Sequence, residues 1–325
     1  MSITVTPKMF TKRPNSTEPF IELVNLLRPR ATVFCGIDGV GKWSVSFPEK
    51  TELLFCWIER GECQVTVPQL APVRLQQNDF ILIRGFTPFT IASDLAMEPV
   101  DVETIAGSSD FRLKVGTGTD SALTLHAGGF LFDTANEDLL TGLLPSLIYV
   151  AAGETTSERV RALLKMNEAE SQEPKPGSEF FIVRLMELVL MDILRHEGNQ
   201  VSETHSGLLA GLADPITACA ITAMHGDVAH AWTVSELAVL SGASRSTFAA
   251  RFQKVVGIGP IEYLLHWRMA LAKDELRSGT RSVGEIALSV GFQSTSAFST
   301  AFTRAVGCSP KRFAASVDRN PTTHA

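Results

Sequence analysis

Two short helical faces in the C-terminal third carry residue types suited to base edges. One presents Arg245, Ser246, Ala249 and Ala250, the other Thr295, Ser296, Ser299 and Thr300. Positions i, i+1, i+4 and i+5 share one side of a helix. Small and hydroxylated groups let such a helix sink into the major groove of double-stranded DNA. Serine and threonine hydroxyls bond base or phosphate, and alanine and threonine methyls meet thymine methyls. Arg245 is the one side chain of the eight with the two-donor fork that grips guanine O6 and N7. Ser244 and Ser294 stand just before the faces as N-caps, and capped helix N-termini favour phosphate.

A second chemistry is offered by thiols. Cys56 and Cys63 flank the turn Glu59-Arg60-Gly61. A tight hairpin would set them across adjacent strands, where an oxidant that joins them or modifies one gives a redox switch. The competing reading is two buried core thiols, since free cysteine is among the most buried residue types. Cys35, Cys219 and Cys308 complete an odd set of five with no CxxC pair, as expected of free thiols in a reducing cytoplasm. Residues 31–125 contain no histidine, and His126 is the first in the chain. Composition therefore excludes a three-histidine metal site in that region. His225 and His230 lack acids or cysteines at ligand spacing. No metal, cofactor or catalytic residue is assigned.

The reading faces belong to an internal repeat. Residues 233–260 (TVSELAVLSGASRSTFAARFQKVVGIGP) return as residues 282–310 (SVGEIALSVGFQSTSAFSTAFTRAVGCSP), with one residue added in the turn. Each copy opens with a capping box, Thr233 with Glu236 and Ser282 with Glu285. Gly242 and Gly291 allow a sharp turn. Phe248 with Phe252, and Phe298 with Phe302, are i,i+4 pairs that anchor the second helix. Helix, glycine turn, helix is the helix-turn-helix arrangement. Residues 263–279, with Leu264, Trp267, Leu271 and Leu276 on apolar positions, form a helix that holds the two units at one spacing. Successive major grooves on one DNA face lie about 34 Å apart.

Charge supports this division. The whole chain has net charge −6. Residues 231–325 carry 11 Lys and Arg against 6 Asp and Glu, and residues 1–230 carry 18 against 29. A basic module follows an acidic one that does not touch DNA. Hydrophobic residues make up 45% and charged residues 20% of the 325, as in globular proteins. No apolar run reaches the roughly 18 residues of a membrane span, and the polar N-terminus lacks a signal-peptide core. A cytoplasmic, nucleoid-associated protein with no membrane partner is expected.

Ahead of the repeat, LLFCWI, CQVTV, VRL, FILIR and FTIAS read as short strands of a sandwich or barrel, with turns at Glu59-Arg60-Gly61 and Gln77-Asn78-Asp79. Trp43, Phe55, Trp57, Phe80 and Phe89 either line an effector pocket in that barrel or form plain core. Residues 20–27, 136–150, 157–170 and 177–197 have helical periodicity, as does 215–226.

HAWTVSELA (230–238), SRSTFAARF (244–252), YLLHWRMALA (263–272), EIALSVGF (285–292), SAFSTAF (296–302) and GCSP (307–310) together closely resemble the AraC/XylS family of transcription regulators. LLRPRA (26–31), WSVSFP (43–48), FCWIERGECQV (55–65), VRLQQNDFILI (73–83), LLPSLI (143–148) and LRHE (194–197) look like the cupin-type sensor of one branch of that family. The resemblance implies an α+β chain, with a cupin-like β-barrel and trailing helices followed by an all-α tandem helix-turn-helix domain. It implies activation through RNA polymerase, response to a small-molecule effector, and a homodimer; the apolar stretch 180–194 is the candidate interface, and burial against the barrel explains it equally well. A catalytic cupin fused to a DNA-binding module is the alternative that the missing histidines oppose. The expected boundaries are a tail at 1–19, a sensor at 20–196, a linker at 197–213, a DNA-binding domain at 214–316 and a tail at 317–325.

Overall fold

The computed structural model describes residues 18–27, 30–31, 35–49, 53–84, 87–105, 112–118, 121–131, 146–199 and 207–317. Most of both expected tails, part of the expected linker (200–206) and most of the expected helix 136–150 lie outside the described residues.

Two sheets enclose the first core. The larger runs β10 (Arg112–Gly116), β2 (Cys35–Val40), β11 (Ser121–Leu131), β4 (Leu53–Arg60), β7 (Phe80–Arg84) and β12 (Leu147–Val150), with β1 (Arg30–Ala31) paired onto β11. The smaller runs β6 (Val73–Leu75), β5 (Cys63–Thr66), β8 (Phe89–Ala92), β3 (Ser44–Phe47) and β9 (Val100–Asp101). Between them pack Ile37, Trp43, Val45, Cys56, Ile58, Cys63, Val65, Ile81, Ile83, Phe89 and Ile91. β-Branched residues at alternate positions suit a pleated surface buried on that side.

Alternation decides between pocket and plain core for the five aromatics. Along β4, Phe55 and Trp57 point away from Cys56 and Ile58, because successive strand residues face opposite sides. Phe55, Trp57 and Phe80 join the cluster on the outer face, whereas Trp43 and Phe89 join the interior one. The five aromatics therefore line no common cavity. The hairpin is corrected too. After Gly61, at φ +86, the chain leaves the larger sheet for the smaller, so β4 and β5 do not pair. The expected helix ends in a strand: Leu147–Val150 pairs antiparallel with β7. A four-residue apolar run fits helix and strand periodicity alike. The long-range partner decides, and Tyr149 Oη donates to Asp79 at 2.9 Å.

α1 (Pro19–Leu27), α3 (Thr155–Gln172) and α4 (Ser178–Asn199) share one apolar cluster with the outer face of the larger sheet, while α2 (Val102–Ile105) is a single turn after β9. α4 divides the stretch once expected to be an interface. Leu185, Met186, Val189, Leu190, Ile193 and Leu194 are buried, while Phe180, Phe181 and Leu188 are exposed. The linker is corrected at both ends, since α4 runs to Asn199 and α5 (Leu208–Ala213) forms a helix packed on its successor, α6 (Pro215–Gly226).

The same apolar cluster continues from the sheet into the C-terminal half, through Leu208, Leu209, Ile221 and Met224 to Phe248, Phe252 and Trp267. A polar chain crosses this seam. His225, its side chain fully buried, places Nδ1 2.8 Å from Glu22 Oε2 of α1 and Nε2 2.7 Å from Tyr263 Oη. Its ring stacks on Trp267 at 3.9 Å. Burial pushes the Tyr263 phenol well above its ordinary value, so the phenol donates to Nε2 and Nδ1–H donates to Glu22. Burial holds the imidazole below its ordinary 6.5, with Glu22 opposing. Both ring nitrogens are thus engaged.

A histidine kept neutral on folding is protonated first in the unfolded chain, so its stability is complete above about pH 6.5 and is lost as pH falls below that value. Urea unfolding between pH 8 and 5 should show this loss. His225→Phe, which leaves Glu22 and Tyr263 without their partner, should cost about 1.5–3 kcal/mol at pH 7.5 and flatten the slope. An unchanged slope would remove His225 from the seam.

Candidate nucleic-acid interface

Each helix-turn-helix unit is built from local signals. In the first, α7 (Val234–Leu240) begins at a complete capping box: Glu236 N donates to Thr233 Oγ1 at 3.2 Å and Thr233 N to Glu236 Oε2 at 2.8 Å. Gly242 turns the chain at φ +66. Ser244 then caps α8 (Arg245–Val256), accepting from Thr247 N at 3.2 Å. The second unit repeats this. Ser282 and Glu285 box the start of α10 (Val283–Ser289), Gly291 turns at φ +85, and Ser294 caps α11 (Thr295–Val306) through Ala297 N at 3.2 Å. Gly257 and Gly307 close α8 and α11 in the left-handed conformation. Pro260 and Pro310 start the next helices, α9 (Pro260–Ser278) and α12 (Pro310–Val317).

Phe248 and Phe252, and Phe298 and Phe302, are fully buried. Burying them turns the opposite faces outward. Arg245, Ser246, Ala250, Thr295, Ser296 and Thr300 are exposed, and Ala249 and Ser299 are half-buried. The residues singled out in the sequence thus fall into two groups, one on each second helix. Hydroxyl geometry refines what they offer. Thr300 Oγ1 donates to Ser296 O at 3.1 Å, so it turns its methyl and a lone pair outward. Ser244 Oγ also meets Thr247 Oγ1 at 2.8 Å and Ser246 Oγ at 3.2 Å.

The family models and relatives agree with this geometry. A family model described as Cupin matches residues 18–197, and one described as Helix-turn-helix domain matches residues 237–316. The chain is 37% identical over 295 residues to an AraC-like transcription regulator of Streptomyces antibioticus, spanning 90% of this chain and 97% of that one. It is 36% identical to a counterpart from Streptomyces lividans, spanning 90% and 96%.

The chain belongs to the AraC family. It is a DNA-binding transcription regulator with an N-terminal cupin domain. More distantly, it is 28% identical over 279 residues to the transcriptional regulator AlkR of Acinetobacter baylyi, spanning 84% and 91%.

Within this AraC-type domain, sequence reasoning missed three residues. Thr303 and Arg304 continue the α11 face and border a shallow hollow with Ser296, Ser299 and Thr300; the extension to i+7 and i+8 was the available signal. The third is Arg268 on α9, whose Nε donates to Val228 O at 2.9 Å and Nη2 to His230 O at 2.8 Å. No short-range pattern marks it. Arg251, by contrast, is turned from the α8 face and held by Asp214 at 2.5 Å.

The two turn glycines differ in surroundings. A Cβ on Gly242 would meet nothing within 4 Å, whereas one on Gly291 would lie 2.6 Å from Arg268 Nη2 and 2.7 Å from Ala229 O. Gly242→Ala should cost about 1–2 kcal/mol for its left-handed backbone. Gly291→Ala should cost a further 1–3 kcal/mol or so, because a backbone carbonyl cannot easily give way. Urea unfolding of both variants checks the order, and equal costs would mean that the second turn does not pack on residues 228–230.

Proposed function

We propose that the protein reads two successive major-groove segments of double-stranded DNA, with α8 and α11 as the recognition helices. The observation that carries this reading is the duplicated, N-capped helix with a small polar outer face, shown on both units by the same buried phenylalanine pair. Arg245 is the direct reader of guanine. Ser246, Ala249 and Ala250, with Thr295, Ser296, Ser299 and Thr300, supply hydroxyl and methyl contacts, and Ser244 and Ser294 present capped amides to phosphate. Small faces leave much of the discrimination to DNA shape. Arg304 and Lys254, at equivalent exposed positions near the helix ends, add phosphate contacts.

The cupin half is read as a non-catalytic sensor whose effector is a small molecule rather than an oxidant. Both thiols of the redox reading lie in the barrel interior, and burial, with Glu62 and Asp79 nearby, pushes the Cys63 thiol up to about 12. A thiol so raised holds almost no thiolate at neutral pH, and the thiolate is the reactive form. Cys63 is therefore assigned to packing, and Cys56, buried in the same cluster, is assigned with it. No described helix is long and apolar enough to cross a membrane. We place the protein in the cytoplasm at the nucleoid, where the family's mode of action, contact with RNA polymerase, completes the reading.

We also propose a homodimer through the outer face of α4. Phe180, Phe181 and Leu188 are 68%, 42% and 53% exposed, and Met166 of α3 is 49% exposed. These are large apolar side chains on a two-helix surface whose other side is already committed to the sheet. Sedimentation of the wild type should give a dimer, and Leu188→Glu should give a folded monomer. A monomeric wild type, or a Leu188→Glu dimer, would end the proposal.

Arg245→Ala should weaken binding to the duplex selected in vitro by the full-length protein and relax preference at one base pair by about 1–3 kcal/mol. Competition with all four bases at each position measures it. A loss equal on every sequence would assign Arg245 to phosphate.

A further inference from the structure

The two units have separate cores. Tyr263, Leu264, Trp267 and Ala270 of α9 pack into the first, whereas Met269, Ala272 and Leu276 of the same helix pack with Ile286, Ala287, Phe298 and Phe302 of the second. A helix passing through two cores fixes their separation well but leaves each unit to roll about its axis, unless something off the axis ties them. Arg268 stands between Trp267 of the first core and Met269 of the second. Its guanidinium grips Val228 O and His230 O in the loop leading into α7. That loop is itself stiff. Asp227 Oδ1 accepts from His230 N at 3.1 Å, and Asp227 O accepts from Trp232 Nε1 at 2.9 Å. The turn of the second unit then rests on the same group, with the α-carbon of Gly291 packed so closely that a Cβ would strike both Arg268 Nη2 and Ala229 O. The entry to the first unit and the turn of the second thus meet at one side chain.

We infer that Arg268 is the positioning residue that sets the rotational phase of the second recognition helix relative to the first, and hence the spacing of DNA segments the protein accepts. The inference rests on the reading that both units engage DNA. A planar fork is the right device, since its two donors hold two carbonyls in fixed relative orientation, which a single ammonium does not. Burial lowers the Arg268 pKa from its ordinary value, consistent with a guanidinium bonded to carbonyls rather than dissolved in water.

The test uses the full-length protein and the in vitro-selected duplex, footprinted to locate the two contacted segments. One base pair is inserted or deleted between them, moving one segment by about 3.4 Å and a tenth of a turn; a duplex with the second segment scrambled is the reference. Wild type should lose about tenfold or more on the shifted duplexes, the size of a typical site defect. Arg268→Ala should bind the native spacing several-fold more weakly, about as wild type does on the scrambled duplex, and should show less than a threefold or so penalty for the shift. Arg268→Lys, which keeps the charge and folds if the alanine variant does not, should fall between. Arg281→Ala, which removes an exposed pair with Glu275 at the far end of α9, should keep the wild-type penalty. A full shift penalty in a folded Arg268→Ala or Arg268→Lys protein overturns the inference, as does a uniform loss on every duplex, which marks a phosphate contact. If wild type binds the scrambled duplex as well as the native one, the two-unit reading itself fails, and the inference with it.

Discussion

Trp267 and Met269 lie two residues apart on one helix and are buried in different cores. On a helix, residues two apart point to widely separated directions, so α9 can serve as the wall of one core and the wall of another at once. The rest of the DNA-binding half depends on this arrangement. The first unit gains a floor from Tyr263, Leu264 and Trp267, and the second from Met269, Ala272 and Leu276. Neither pair of short helices buries enough apolar surface to stand alone. Seven-residue helices such as α7 and α10 exist because their caps satisfy the first amides and α9 supplies the packing.

The two units are unequal in their attachment. The first shares a continuous apolar cluster with α1, α3, α4 and the outer face of the larger sheet. Among the described residues, the core of the second contains no side chain of the cupin half. Among the described residues, the cupin half therefore packs on the first unit directly and reaches the core of the second through α9. The His225 chain belongs to this grip. It places a carboxylate, an imidazole and a phenol beside the apolar cluster that runs through the seam, where each hydrogen bond is strengthened by the low dielectric and each missing partner is costly. A polar chain of this kind specifies how two surfaces meet more sharply than aliphatic packing does, because its partners must align in direction as well as in distance.

The cupin half illustrates how pairing overrides local pattern. Cys56 and Cys63 flank a glycine turn, and hairpin logic would join them across a ladder. Gly61 instead carries the chain from one sheet to the other, and the thiols enter the space between the sheets. The same two-sheet architecture scatters the aromatics. An effector pocket inside the barrel would need side chains of one strand parity, and Phe55, Trp57 and Phe80 have the other.

The local grammar of the DNA-binding half was legible in the chain itself. The capping boxes, turn glycines, N-cap serines, phenylalanine pairs and Gly-x-x-Pro terminators all act within a few residues, so their spacing alone determined the helices, their ends and the faces carrying Arg245 and Thr295. The strands LLFCWI, CQVTV and FILIR were legible for the same reason. What required the tertiary structure was everything set by partners distant in the chain. Residues 147–150 became a strand because β7 offered an edge, and residues 208–213 became a helix because α6 and α8 offered a surface. The thiols were placed by the crossing between sheets. Arg268, an ordinary arginine in an amphipathic helix, acquired its place only when a loop forty residues earlier and a glycine beyond its own helix came to rest against it. Short-range spacing encodes which way a side chain faces, and only the folded chain decides what it meets there.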